Sequence, residues 1–254
     1  MFDPFGDFEN AGYLRNVQQV KEPAIIKAIE HELFRLNLPL ALKYLSSLKG
    51  VTYADFLKTH SLLFSDFYPW AGKDRVDVAP LVAISKGSVM FAHPADARRA
   101  VELGLSLAHD AHSMRAKAGE IMGLFAYGHP FLDGNGRTML LVHMELCHRA
   151  GFSIRWADSR KEDYLQALSK EIDSPGRGVL DTYLAAFIDA RREREHWGES
   201  VTSIQGLDGL DGGGQANENL ADPDVAERYQ QQELRRVASY RAAELPEAGG
   251  KPGG

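Results

Sequence analysis

Residues 128–138 read GHPFLDGNGRT, and the reading of this stretch decides the fold. Apolar residues at helical spacing lie on both sides of it. Pro130 and the glycines 128, 134 and 136 nevertheless forbid one continuous helix from Ile121 to Ala150, so a turn divides two helices. The DGNG portion allows positive φ and the close approach of a ligand to the backbone. The second helix begins near Gly136, and its free N–H groups and positive dipole end point into the loop, which makes an anion site. Arg137 adds a fixed charge whose fork suits phosphate oxygens. Asp133 suits a hard cation such as Mg²⁺, which bridges phosphates and one or two carboxylates. Asn135 offers a donor to a phosphate oxygen, and His129 at the other rim can take a proton from an incoming hydroxyl near neutral pH. An anion hole, a metal acid and a base together suggest transfer from a nucleotide phosphate. The same residues also admit a plain turn between helices, with His129 as a capping residue. A P-loop is excluded, because the Lys and the Gly five positions before Gly136 are absent. An EF-hand is excluded by Thr138 where its Gly is needed and by the missing acidic twelfth ligand.

Outward from this loop the pattern is helical. Ile25, Ile26, Ile29 and Leu33 recur at helical spacing, as do Phe56, His60, Leu63 and Phe64, and then Leu180, Tyr183, Leu184 and Phe187. Pro23 can start a helix that Pro39 should break. Thr52 can cap one running to about Asp66, and further helices are expected at 94–117, 119–127, 136–150, 158–172 and 179–195. Ser159 with Glu162 looks like a capping box. The stretch DRVDVAPLVAISKGSVMFA carries β-branched residues, a Pro and a Gly turn signal, and is the one convincing hairpin. The fold class is therefore all-α: a helical bundle with one small β-hairpin.

The chain of 254 residues is 44% hydrophobic, enough for one sizeable domain and a tail. Its net charge of −6 gives no whole-protein attraction to nucleic acid or anionic membrane. Its single cysteine, Cys147, permits no internal disulfide, so a reducing compartment such as the cytoplasm is the natural setting. The first residues lack the pattern of a secretory leader, and no apolar run approaches the ~18 residues of a membrane span. Composition shifts near residue 198. The boundaries read as a domain over 1–197, a flexible linker over 198–223 rich in Gly, Asp and Asn, and a tail over 224–254 that is helical and then disordered. From Arg191 to Gly254 there are eight Lys and Arg against twelve Asp and Glu, so the tail is no basic arm. In the tail Leu234, Val237 and Tyr240 fall three apart, on a helix that packs back on its own domain or docks a partner. His143, Cys147 and His148 lack the further ligands of a zinc site and read as core packing.

HPFLDGNGR at 129–137 is similar to the signature of the Fic (filamentation induced by cAMP) proteins of the Fic/Doc superfamily, HPFx(D/E)GN(G/K)R, with every specified position matched. The segments GYLRN at 12–16, FSDFYPWAGKDR at 64–75, ISKG at 84–87, Phe91 and RAGF at 149–152 fall where those proteins carry similar ones. The resemblance covers residues 3 to 195. It implies the all-α Fic fold, and an enzyme that moves AMP from ATP onto a Ser, Thr or Tyr hydroxyl of a target protein. By the same resemblance His129 is the general base, Phe131 a buried anchor, Asp133 the Mg²⁺ ligand, and Gly134, Asn135 and Gly136 the anion hole, with Arg137 on the distal phosphates. The hairpin around Ile84, Lys86, Gly87 and Phe91 resembles the flap that holds a target segment as an added strand.

Two departures keep alternatives open. Adenylylating members carry a second Arg three residues after the first, where this chain has Leu140. The donor is then ATP, or the enzyme transfers another group such as UMP, phosphocholine or a phosphoryl group; a non-catalytic nucleotide- or partner-binding module is the third reading. The inhibitory pattern (S/T)xxxE(G/N) is also absent from the sequence. Control then falls to a separate antitoxin protein, to the chain's own tail, or to nothing. A cytoplasmic toxin and a secreted effector would look alike at this level, and neither reading involves direct nucleic acid or membrane binding.

Overall fold

The computed structural model describes residues 3–204 and 215–244. Its helices are α1 (Phe8–Ala11), α2 (Pro23–Ser47), α3 (Tyr53–Phe64), α4 (Arg75–Val78), α5 (Pro94–Ala108), α6 (Ala111–Ala116), α7 (Ala118–Gly128), α8 (Asn135–Arg149), α9 (Lys161–Asp173), α10 (Val179–Ala185), α11 (Trp197–Thr202) and α12 (Pro223–Glu244). Five short strands complete it: β1 (Val82–Lys86), β2 (Val89–Met90), β3 (Phe152–Ile154), β4 (Ile188–Ala190) and β5 (Gln215–Asn219). The fold is thus mostly helical, as the sequence pattern implies.

At the centre lies α7, every residue of which is buried. It packs on α5, α9, α10 and α8. Small residues let its neighbours close in: a Cβ at Gly119 would stand 2.2 Å from the backbone nitrogen of Asp181. The helix that follows the motif loop, α8, packs beside α7 and α3, so the loop is pinned between three helices. Phe56 of α3 meets Phe125 of α7 edge-on at 5.4 Å and Phe131 of the loop at 6.0 Å, the offset geometries aromatic pairs favour. Thr52 and Asp55 form a reciprocal capping box that starts α3.

The structure differs from the sequence expectations at several places. Helix α2 runs through Pro39 instead of ending there. Pro39 and Arg35 are both exposed, so water can take the carbonyl the proline leaves unpaired, while buried Phe34, Leu38 and Ala41 hold both halves to the core. Arg160, not Ser159, caps α9, and the Ser159 hydroxyl donates to Trp156 O at 2.7 Å. The helix expected over 179–195 stops at Ala185. The next residues form β4, which pairs antiparallel with β3 in a second small sheet that the three-residue strands were too short to signal.

The tail departs furthest. Trp197 and Val201 are buried, so the linker read over 198–223 begins as packed helix. It ends in β5, which pairs antiparallel with β1 from Val82↔Asn219 to Lys86↔Gln215, giving the order β2-β1-β5. Residues 205–214 and the expected disordered end, 245–254, lie outside the described residues. Helix α12 folds back onto the domain, but not by Leu234 and Val237, which are exposed. Its buried face is Val225, Tyr229, Gln232, Arg236 and Ser239, and all three polar members of that face bond to backbone carbonyls of the domain.

Candidate active site

The loop between α7 and α8 is bent at His129, which takes the left-handed conformation (φ 42°, ψ 56°) that few side chains adopt. Arg75 holds the bend. Its fully buried guanidinium donates to His129 O at 2.7 Å and Ala92 O at 2.7 Å, and its backbone N–H to Pro130 O at 2.8 Å. Burial pushes its pKa down to about 10, still charged at neutral pH.

Inside the loop the anchors are apolar and stacked. Phe131 is fully buried, with the His60 ring 3.7 Å from its own. His60 takes the Gly72 N–H on Nδ1, so Nε2 carries the proton and donates to Asp133 O at 3.0 Å. Burial lowers its pKa to about 3, which keeps it neutral. Gly134, at φ 75°, caps α8 with no side-chain bond to the helix end, and a Cβ there would meet Phe64 at 2.6 Å. Gly136 faces open space and is exposed. The first N–H groups of α8 are therefore uncapped and reachable, as an anion site requires.

One expectation for this loop does not hold. The Asn135 amide turns inward, its Oδ1 taking the Phe131 N–H at 2.9 Å and its Nδ2 donating to Phe131 O at 2.7 Å. Its side chain closes the loop, with its oxygen and one N–H committed to the Phe131 backbone and turned away from a phosphate, while its backbone N–H remains at the helix start.

His129 and Arg137 each leave a buried polar atom unpartnered. His129 Nε2 is shielded from water and has no hydrogen-bond partner, while its ring lies flat on Phe91 at 3.7 Å and 9°. Burial first, and the nearby Arg75 charge second, hold its pKa well below 6.5, so the imidazole is neutral. Arg137 is buried against the rings of Phe64 and Phe34, at 4.6 Å and 5.9 Å, and its NH1 is likewise unpaired.

The acid side of the site is a charge cluster that sequence reading missed. Lys27 Nζ stands 2.5 Å from Asp133 Oδ2 and 2.8 Å from Glu30 Oε2. Arg137 NH2 stands 3.4 Å from Glu30 Oε1 and 3.6 Å from Asp133 Oδ1. The Tyr68 hydroxyl donates to Glu30 Oε1 at 2.9 Å. Despite its burial, Asp133 is held well below the usual carboxylate range by Lys27 and Arg137. Glu30 is fully buried on an otherwise apolar stripe of Ile26, Phe34, Leu38, Ala41 and Leu45. A carboxylate in that stripe, with a lysine three residues before it, was the available signal.

Of the hairpin residues, Phe91 touches the site. Ile84 is fully buried beneath the strand, Gly87 (φ 60°) forms the exposed tip, and Lys86 at the strand end faces the cluster closely enough for the Asp133 charge to act on it. Leu140 joins the hydrophobic core. His143 is also core: its Nε2 lies 2.8 Å from Ala118 O, and burial brings its pKa to about 4. Among the described residues no group of three or more His, Cys, Asp or Glu is placed to hold a metal.

With this geometry in view, the comparisons with known proteins agree on one family. Residues 50–147 match the model of the Fic/DOC family. It is 31% identical over 179 residues to protein adenylyltransferase VbhT of Bartonella schoenbuchensis, and 30% identical over 128 residues to probable protein adenylyltransferase y4lH of Sinorhizobium fredii. These alignments take in 65% and 46% of the chain, which spans 35% of the first relative and 62% of the second. Among solved structures it resembles the N-terminal Fic domain of a VirB-translocated effector from Bartonella quintana with bound ADP. That match has a TM-score of 0.59 and 18% identity, over 74% of this chain and 96% of that one. The BepC effector from Bartonella tribocorum with bound AMPPNP matches at a TM-score of 0.57 and 16% identity, over 70% and 92%. At these identities the likeness is one of fold.

Proposed function

We propose that the chain is a protein adenylyltransferase that moves AMP from ATP to a Ser, Thr or Tyr hydroxyl of a target protein. The observation that carries this reading is the His129 imidazole: neutral, unpartnered at Nε2, and set beside the uncapped start of α8 with Arg137. In the reaction the target oxygen attacks the α-phosphorus, its proton passes to His129 Nε2, and pyrophosphate leaves with the electrons of the broken P–O bond. The backbone N–H groups of Asn135 and Gly136 would cradle the phosphates, with Arg137 on the distal ones; Gly134 serves the anion hole by its turn, since its own N–H donates to Asp133 Oδ1. Phe131 holds the loop, and Phe91 fixes the plane of His129.

Mg²⁺ fits this residue set as an ion carried by the nucleotide, with Asp133 as its single protein ligand. Asp133 Oδ1 is engaged by the Gly134 N–H and Oδ2 by Lys27, so the fit requires Lys27 to yield Oδ2. When bound, the ion would neutralise charge on the nucleotide's phosphates.

The flap, with Ile84, Lys86, Gly87 and Phe91, is the surface on which we place the target segment. Its outer edge is taken by β5, which supports control by the chain's own tail ahead of a separate antitoxin. The described helices include none long and apolar enough to cross a membrane, and the working place, cytoplasm of the producing cell or of a recipient, stays part of this proposal. The core position of Leu140 favours one second reading, transfer of a different group, because no second arginine stands three residues after Arg137 on α8. Labelled ATP separates the two. Protein labelled from α-phosphate, lost in His129→Ala, supports AMP transfer; label from γ-phosphate alone would replace it with phosphoryl transfer.

A further inference from the structure

A phosphate site that lacks a second arginine on α8 still holds a second cation, and it comes from α2. We propose that Lys27 is a phosphate-binding residue, standing where it supplies the positive charge that Leu140 does not. The proposal rests on reading the loop as a nucleotide site and adds a residue to it.

Three observations carry it. First, Lys27 and Arg137 are bridged by the same two carboxylates, each cation reaching both Glu30 and Asp133. The two cations therefore stand together at the Asp133 end of the loop. The α-phosphorus must lie beside His129 for that imidazole to take the hydroxyl proton, so the phosphates beyond it extend towards Arg137 and Lys27.

Second, at ion-pair distance the cluster balances without a ligand: Lys27 and Arg137 face Glu30 and Asp133. A polyphosphate adds several negative charges, and a metal ion on Asp133 would displace the ammonium from Oδ2. In either case Lys27 is released towards the incoming anion, and it is built to move. Its side chain is 21% exposed, whereas that of Arg137 is 7% exposed and wedged between rings. Its stem also has the rotational freedom that a guanidinium fork between rings lacks.

Third, the release leaves neither buried carboxylate without a hydrogen-bond donor. Glu30, fully buried, keeps the Tyr68 hydroxyl and Arg137, and Asp133 keeps the Gly134 N–H and Arg137. A lysine needed only to neutralise Glu30 would find its pairing complete in the i,i+3 contact. The 2.5 Å contact with Asp133 instead draws it to the edge of the anion hole.

The test is the affinity of the full-length chain for fluorescent ATP, ADP and AMP, in Mg²⁺ and in EDTA, for the wild type, Lys27→Gln and Lys27→Arg. The expected result is that Lys27→Gln weakens ATP and ADP about tenfold in both conditions but AMP less than threefold, while Lys27→Arg recovers most of the loss. Equal loss for all three nucleotides would overturn the proposal in favour of a structural pair, and unchanged affinity would overturn it outright. Should Lys27→Gln fail to fold, Lys27→Arg must still bind ATP within a few fold of the wild type. A wild type that binds none of the three would instead remove the nucleotide reading on which this one stands.

Discussion

The loop and the flap, the two walls of the candidate site, are assembled by opposite means. The loop, residues 129–137, carries its chemistry in nine consecutive residues and is locked by buried groups: Arg75 on the His129 carbonyl, His60 stacked on Phe131, Asn135 tied to the Phe131 backbone. The flap has a two-residue second strand and owes its third to a distant segment, residues 215–219. Arg228 of α12 pairs with Glu218 of that third strand at 2.5 Å, and α12 is itself tied to the domain. Tyr229 and Val225 of α12 bury against Ala83, Gln232 donates to Met90 O at 2.7 Å, and Tyr127 bonds to Glu233. A cleft of about 990 Å³ stays open beside it, lined by Gly87, Met90, Arg177 and Gln232 among others. On the proposed function, the target segment would have to take the place that β5 holds on β1.

The comparison can be broken most easily at the loop. Replacing His129 with Ala should reduce transfer by about 10²–10⁴-fold, the usual share of a positioned base, with ATP affinity held within about threefold. Retained transfer would remove His129 from its role. Gly134→Ala attacks the same wall through folding. Its Cβ would fall 2.6 Å from Phe64 at a positive φ, so denaturant melts should show a loss of about 2–4 kcal/mol from strain and overpacking combined. A loss below 1 kcal/mol would mean that the loop is softer than described.

The flap is tested by fixing its cover. Ala83 and Glu218 are direct partners across β1 and β5, and Cys147 is buried away from them. A disulfide between Ala83→Cys and Glu218→Cys should lower transfer to proteins about tenfold, the effect of withholding roughly 1.4 kcal/mol of edge pairing, and reductant should restore it. Equal activity in both states would show that β5 does not compete with the target.

The smallest effect sharpens the account of the interior. His60, His129 and His143 are all held neutral by burial. Each binds its proton more readily in the unfolded chain, so stability is full above pH 6.5 and falls as the pH drops towards about 4. Each contributes a slope of about 1.4 kcal/mol per pH unit in that window. His143→Gln should remove one such share from the slope measured between pH 6 and 5; an unchanged slope would mean that His143 is protonated in place.

What was legible in the sequence follows the same division. The loop was legible because glycines, Pro130 and charged residues within nine positions constrain one another locally. The helices and the hairpin followed from apolar spacing and turn residues. Lys27 and Glu30 were not, because their meaning depends on a residue more than a hundred positions away, and an i,i+3 Lys–Glu pair on a helix ordinarily reads as a solvated contact. The Asn135 amide was assigned to a ligand because its own backbone claim on it is visible only once the loop is closed. Strand β5, QANEN, has no β-branched or aromatic residue to announce it. It is a strand because the edge of β1 supplies its backbone partners, and only the folded chain brings that edge to it.

The most direct measurement is the intact mass of proteins in a cell lysate after incubation with the wild-type chain, ATP and Mg²⁺, set beside the same incubation with His129→Ala. The account predicts a gain of one AMP unit on specific proteins with the wild type and none with the variant. A gain of a different group, or the same gain with His129→Ala, would contradict it.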